Sequence, residues 1–243
     1  MYHYLLSIGL LLLCSLIAGG VSAKVNKTFQ AQSQIGTRSH MTGYDTAVRL
    51  LWANGIRDIS VGRVSGSLTD HYHPKKGQVN LSETVYGNNS VAAVAVAAHE
   101  IGHVVQKKKG YLPYKLRSVL VPITNIGSRL ALPLVLIGLL MDAAIGFTQS
   151  YTTGYYLAIV GVALYGLSTV FALVTLPVEY DASRRAKKML ISEGILTKSE
   201  LPYAEKMLSA AAQTYVANLL VSLVYFLRFA LWVLMLFGGR RRR

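Results

Sequence analysis

Ser90-Val-Ala-Ala-Val-Ala-Val-Ala-Ala-His99-Glu-Ile-Gly-His103-Val-Val-Gln-Lys-Lys-Lys109 is the stretch that decides the fold. Its serine can cap a helix, and the residues that follow are apolar on nearly every face, so Val91–Lys108 reads as a buried helix. Two histidines four apart are set into it, with a glutamate directly after the first. Residues four apart share one helix face, so both imidazoles can reach a single zinc ion. Glu100 then stands where it can take a proton from a water made acidic by the metal, with a scissile carbonyl as the natural target. Only six histidines occur in 243 residues, so the spacing is a specific signal.

Outward from this helix, Lys24–Arg117 reads as a small α+β unit. Thr42-Gly-Tyr-Asp45 resembles an N-cap with an acidic third residue, opening a helix that stops at Asn54-Gly55. Ile56–Val64 alternates in part and reads as a strand that ends at Ser65-Gly66. Gln78–Ser82 reads as a second strand and is a candidate edge on which an extended peptide could pair. In Leu68-Thr-Asp-His-Tyr-His-Pro74, Asp70 and His71 are candidates to line the cleft or to stabilise an oxyanion.

The rest of the chain is dominated by apolar runs. Tyr4–Val21, Leu130–Phe147 and Tyr155–Leu176 are long enough, or nearly so, to cross a hydrocarbon core of about 20 helical residues. Ala210–Phe237 is longer and holds Arg228 near its far end. Val21-Ser22-Ala23 resembles a signal-peptidase site, but no lysine or arginine precedes the apolar run, which favours a retained anchor. Pro122–Pro133 reads as an interfacial helix leading into the second span.

Composition agrees. Hydrophobic residues make up 52% and charged residues 15%, yet lysine and arginine number 25 against 11 acids. A chain both apolar and basic carries its cations at a lipid interface; its apolar content excludes disorder, and its single cysteine excludes a disulfide scaffold. Of the excess, Lys24–Arg117 holds 13 basic against 5 acidic residues, and no separate basic domain offers itself to nucleic acid.

A catalytic zinc wants three protein ligands and an open position. The candidates for the third are Glu179 and Asp181, after the third apolar run, Asp142 inside the second, and His71 and His73. If the first three runs each span, the loop with His99 and His103 and the loop with Glu179 lie on one side of the membrane. That parity favours Glu179. Thr148–Gly154 has no lysine or arginine, whereas the flanks of Lys24–Arg117 and the cluster Arg184–Lys188 are basic, so both loops are expected in the cytoplasm. Under the same count, Arg240–Arg243 falls outside.

These blocks, in order, resemble the YugP-type family of membrane zinc metallopeptidases from about Thr42 to Leu227. The resemblance rests on Leu68–Pro74, Val79-Asn-Leu-Ser82, Ala97-Ala-His-Glu-Ile-Gly-His-Val-Val-Gln106, Gly110-Tyr111 and Leu176-Pro-Val-Glu-Tyr-Asp-Ala-Ser-Arg-Arg-Ala186. More distantly the chain is similar to HtpX-like and prenyl-protein endopeptidases. The resemblance to these implies a zinc-ligand glutamate in a Glu-x-x-Ala-Asp pattern, matched here by Glu179 and Ala182. Ser183 stands where that pattern has its aspartate, which leaves Asp181 as the candidate for orienting a ligand. His73 stands where an acid or amide is expected.

The expected architecture is a mainly α membrane protein of three to four transmembrane helices. A small α+β gluzincin-like metalloprotease unit is inserted between the first and second. The expected divisions are an anchor over 1–23, the metalloprotease unit over 24–117 and an interfacial helix with spans two and three over 118–176. A cytoplasmic helix with the third ligand over 177–208 and a membrane helix with basic tail over 209–243 complete it. One zinc ion held by His99, His103 and Glu179, with Glu100 as base, would hydrolyse protein or peptide substrates at the membrane. Two alternatives remain at this stage: a site-2-type intramembrane protease with Asp142 as third ligand, and a non-catalytic zinc-binding adaptor.

Overall fold

A computed structural model of the chain describes residues 2–144 and 152–238. The tail Arg240–Arg243 and the first part of the cation-free segment Thr148–Gly154 lie outside the described residues. The elements are α1 (Tyr2–Ser33), α2 (Gly43–Ala53), β1 (Ser60–Val64), β2 (His71–His73), β3 (Gln78–Ser82), α3 (Glu83–Tyr86), α4 (Val91–Lys108), α5 (Leu112–Ala144), α6 (Thr153–Ser192) and α7 (Leu201–Gly238). Four of them, α1, α5, α6 and α7, are long and apolar enough to cross a membrane. The protein is therefore mainly helical, with four candidate spans and one three-stranded sheet.

Contacts divide the chain into two units. One comprises 1–18, 115–175 and 216–243; the other comprises 19–114 and 176–215. In the first, the backbones of α5 and α6 approach closely: a Cβ added at Gly138 would lie 2.3 Å from the Gly154 carbonyl oxygen. Small residues permit such packing where lipid supplies no hydrophobic drive between helices. Leu140 and Leu132 on α5, and Leu231 and Met235 on α7, stay exposed, which water would penalise and hydrocarbon does not.

The second unit is built around α4. Ser90 caps it through the Ala93 amide, and from Val91 to Val105 almost every side chain is buried, as its all-round apolar sequence requires. Around it pack Leu50 and Leu51 of α2, Val79 and Leu81 of β3, Ala186 and Leu190 of α6, and Met207 of α7. Thr42 and Asp45 form a full capping box that starts α2, and Asn54 ends it. The connection after α1 is tied to the start of α4, where the Val91 amide donates to the Ile35 carbonyl at 2.8 Å.

The sheet order is β1-β3-β2, with β1 parallel and β2 antiparallel to β3. This corrects the expectation that Gln78–Ser82 is an edge. Ser60–Val64 pairs along the whole of one side of it and His71–His73 along Gln78–Asn80 on the other, so β3 is the central strand and not an edge. The first strand is also shorter than expected, beginning at Ser60. The region Pro122–Pro133 forms no separate interfacial helix: both prolines lie inside α5, and Pro177 likewise lies inside α6. A proline removes one backbone hydrogen bond, which a long apolar helix tolerates. Arg228 does not break the last helix, which runs unbroken from Leu201 to Gly238.

Candidate metal centre

His99 and His103 stand one turn apart on α4, their rings edge to face with centroids 4.8 Å apart. Glu179 comes from α6 and is almost fully buried against them. Its Oε2 lies 3.1 Å from His99 Nε2 and 3.4 Å from His103 Nε2. One ligand atom from each residue falls within 4.8 Å of the others, so the three could hold one metal ion. The approach depends on Gly102: a Cβ there would stand 2.7 Å from the Ala182 carbonyl oxygen, so no larger residue lets α4 and α6 come this near.

The hydrogen bonds behind the imidazoles test whether the group suits zinc. The Gln106 Nε2 donates to the Val178 carbonyl at 2.7 Å and to Asp181 Oδ2 at 3.0 Å. A backbone carbonyl only accepts, so the amide orientation is set, and its Oε1 faces His103 Nδ1 at 3.0 Å. His103 Nδ1 must therefore carry a hydrogen and donate it. In the neutral ring this leaves a lone pair on Nε2, pointing at the Glu179 carboxylate. Two acceptors facing each other at such a distance are joined by a cation, either a proton on the ring or a metal ion between them. Zinc bonds of about 2.1 Å in a tetrahedron set ligand atoms about 3.4 Å apart, in line with the two distances from Glu179 to the imidazoles. His99 Nδ1 is held on its far side by the Ser183 hydroxyl at 3.1 Å. The donor set fits zinc.

Asp181 is buried and takes Arg184 and Arg185 of its own helix in addition to Gln106. It touches neither histidine directly but acts on His103 through Gln106. Ser183, read in the sequence only as a departure, is the residue that supports His99. Gln106 had no role in the sequence reading. It sits three residues after His103, the spacing that brings two helical side chains together, and that was its signal. Glu100 is nearly buried beside His99 and makes no hydrogen bond or ion pair among the described residues. Tyr114 lies 6.3 Å from the His103 ring, centroid to centroid.

The other sequence candidates are held elsewhere. Asp70 accepts from the Ser82 amide at 2.7 Å and the Ser82 hydroxyl at 2.9 Å, and burial pushes its carboxyl above the usual carboxylate range against those bonds. His71 Nδ1–H donates to the Thr69 carbonyl at 2.9 Å, and the Asn80 amide donates to its Nε2 at 3.1 Å. The His73 ring accepts from the Lys76 amide at 3.3 Å. Asp142 is buried within the other contact unit, where the Thr152 hydroxyl donates to it. Among the described residues, none of the four joins the group of His99, His103 and Glu179.

A family model described as "Putative neutral zinc metallopeptidase" matches residues 7–234. The chain belongs to this zinc metallopeptidase family. Among curated relatives, "Putative membrane protease YugP" of Bacillus subtilis (strain 168) is 40% identical over 217 residues, covering 89% of this chain and 90% of the relative. No solved structure matches. Membership of the zinc metallopeptidase family and the likeness to a membrane protease accord with the metal-capable group on α4 and α6. With the four apolar helices they make this a multi-pass membrane protein.

Proposed function

We propose that this protein is a membrane-bound zinc endopeptidase that hydrolyses peptide bonds of membrane or membrane-proximal proteins, with its catalytic part on the cytoplasmic side. The observation that carries the reading is the set of three acceptors converging from α4 and α6, each imidazole supported from behind, with an unpaired carboxylate at the next residue. His99, His103 and Glu179 would hold the ion, a two-histidine, one-glutamate set of the gluzincin type. A zinc ion held there would supply an acidified water and a Lewis acid for the scissile carbonyl. Glu100 takes the proton as the water attacks the carbonyl carbon. It then delivers that proton to the leaving amine nitrogen as the carbon–nitrogen bond breaks, returning to its ionised form. Ser183, and Gln106 with Asp181, hold the ring tautomers that aim Nε2 inward.

Two substitutions test it. Glu100→Gln should keep one zinc per chain and lose cleavage of a membrane-protein substrate by at least about a hundredfold, the usual worth of a positioned base. Glu179→Ala should lose the zinc. Unchanged cleavage in Glu100→Gln would make the zinc structural and the protein an adaptor. Zinc retained in Glu179→Ala but lost in Asp142→Ala would move the third ligand into the second apolar run.

A further inference from the structure

Asp181 and Ser183, the latter bonded to His99 Nδ1, also form part of the wall of a groove of about 1310 Å³. Its walls are parts of α1, α6 and α7 together with Tyr111, all within the contact unit that holds the metal-capable group. Five cations line it, Lys24, Lys27, Arg184, Lys187 and Lys206, against the carboxylates of Asp181 and Glu205. Both carboxylates are engaged, Asp181 with Arg184 and Arg185, and Glu205 with Lys187 at 3.2 Å. Lys24, Lys27 and Lys206 have no carboxylate partner among the described residues. Lys24 donates to Gln213 at 2.9 Å, and Lys206 lies over the Tyr203 ring at 5.6 Å. The groove is basic and short of counter-charge.

Its depth along the chain identifies what would fill it. Lys24 stands three residues beyond the apolar run Tyr4–Val21. Pro177 directly follows Tyr155–Leu176, and Ser209 directly precedes Ala210–Phe237; both line the groove. All three helices thus reach it where their apolar runs end, the level at which lipid phosphates lie. We propose that this groove binds the phosphate of an anionic phospholipid headgroup. A headgroup there would rest against Ser183 and Asp181, the residues that hold His99 and, through Gln106, His103. The binding claim itself does not depend on peptidase activity.

The test uses the full-length, zinc-loaded protein in a neutral detergent, titrated with phosphatidylglycerol or phosphatidylcholine and read by native mass spectrometry and thermal unfolding. Phosphatidylglycerol should bind saturably and raise the unfolding midpoint; phosphatidylcholine should not. Lys24→Gln/Lys27→Gln/Lys206→Gln should weaken phosphatidylglycerol binding by about a hundredfold, from about 1 kcal/mol per cation at an anionic surface. Lys75→Gln/Lys76→Gln/Lys109→Gln removes equal charge from residues that do not line the groove and should change binding by less than about threefold. Equal loss in both triple variants would overturn the site in favour of general charge attraction. Saturation by inorganic phosphate alone, with the same dependence on the three lysines, would replace the lipid by a free anion. Should the groove triple variant fail to fold, Lys27→Gln alone must weaken binding by about fivefold, and an unchanged affinity would refute the proposal.

Discussion

The two imidazoles are supported by chemically different partners, and that difference is testable. His103 gives its Nδ1 hydrogen to an amide that is itself locked by Val178 and Asp181; His99 meets only a hydroxyl. Second partners of this kind are worth about 10–100-fold in metal affinity. Gln106→Leu should therefore weaken zinc binding by about that factor, and Ser183→Ala by about tenfold, measured by competition with a chromogenic chelator. Ser183→Asp supplies a stronger acceptor at the same place and should bind zinc at least as tightly as the natural protein. If Ser183→Ala lowers the unfolding midpoint of the metal-free chain while zinc affinity stays put, Ser183 merely packs. The grouping of His99, His103 and Glu179 was legible because it is written in spacing and in chain order. Gln106 and Ser183 were not, because a supporting role depends on which side chain lies behind a ring, and only packing decides that.

At the scale of elements, the helix ends were the most readable features. Thr42 with Asp45, and Ser90, bond the first free amides of their helices locally, and α2 and α4 begin where those residues stand. Strand order was not readable. Whether Gln78–Ser82 sits at an edge depends on His71–His73, three residues between turns that carry no alternation to announce a strand. Prolines misled in the other direction, since Pro122, Pro133 and Pro177 suggest boundaries that long apolar helices absorb. What the elements add to the site is one close crossing of α4 on α6 at Gly102. Gly102→Ala sets a methyl against the Ala182 backbone, which cannot yield as a flexible side chain would. The helices must part where Glu179 meets the histidines. We expect a loss of about 1–3 kcal/mol in unfolding free energy, typical of overpacking, together with weakened zinc binding. Gly87→Ala, where nothing lies within 4 Å of the added Cβ, is the matched control. Zinc affinity unchanged in Gly102→Ala would mean that the crossing is not what sets the ligand distances.

At the scale of the whole molecule, one contact unit is assembled from 19–114 and 176–215, two segments separated in sequence by two helices long and apolar enough to span. Two crossings return the chain to the side it left, so α5 and the first part of α6 must both cross, or neither, for the histidines and Glu179 to share one aqueous face. Charge then selects the face. Lys24–Arg117 carries 13 basic and 5 acidic residues, whereas Thr148–Gly154 has no lysine or arginine at all. Cations are retained on the cytoplasmic side, and the proposed function accordingly sets the metal-capable group there. The chain is well suited to a direct test, because its one cysteine, Cys14, is buried in α1. Lys75→Cys introduces an exposed thiol between β2 and β3. A membrane-impermeant maleimide should leave it unlabelled in intact cells and label it in inverted vesicles, while the natural protein stays unlabelled in both. A cysteine at Thr148, between the second and third apolar runs, should give the opposite pattern. Labelling of Lys75→Cys in intact cells would put the catalytic residues outside and restrict substrates to proteins exposed on that face. Labelling of both positions from one side would mean that α5 does not cross, and the first part of α6 could then not cross either if Glu179 is to share a face with the histidines.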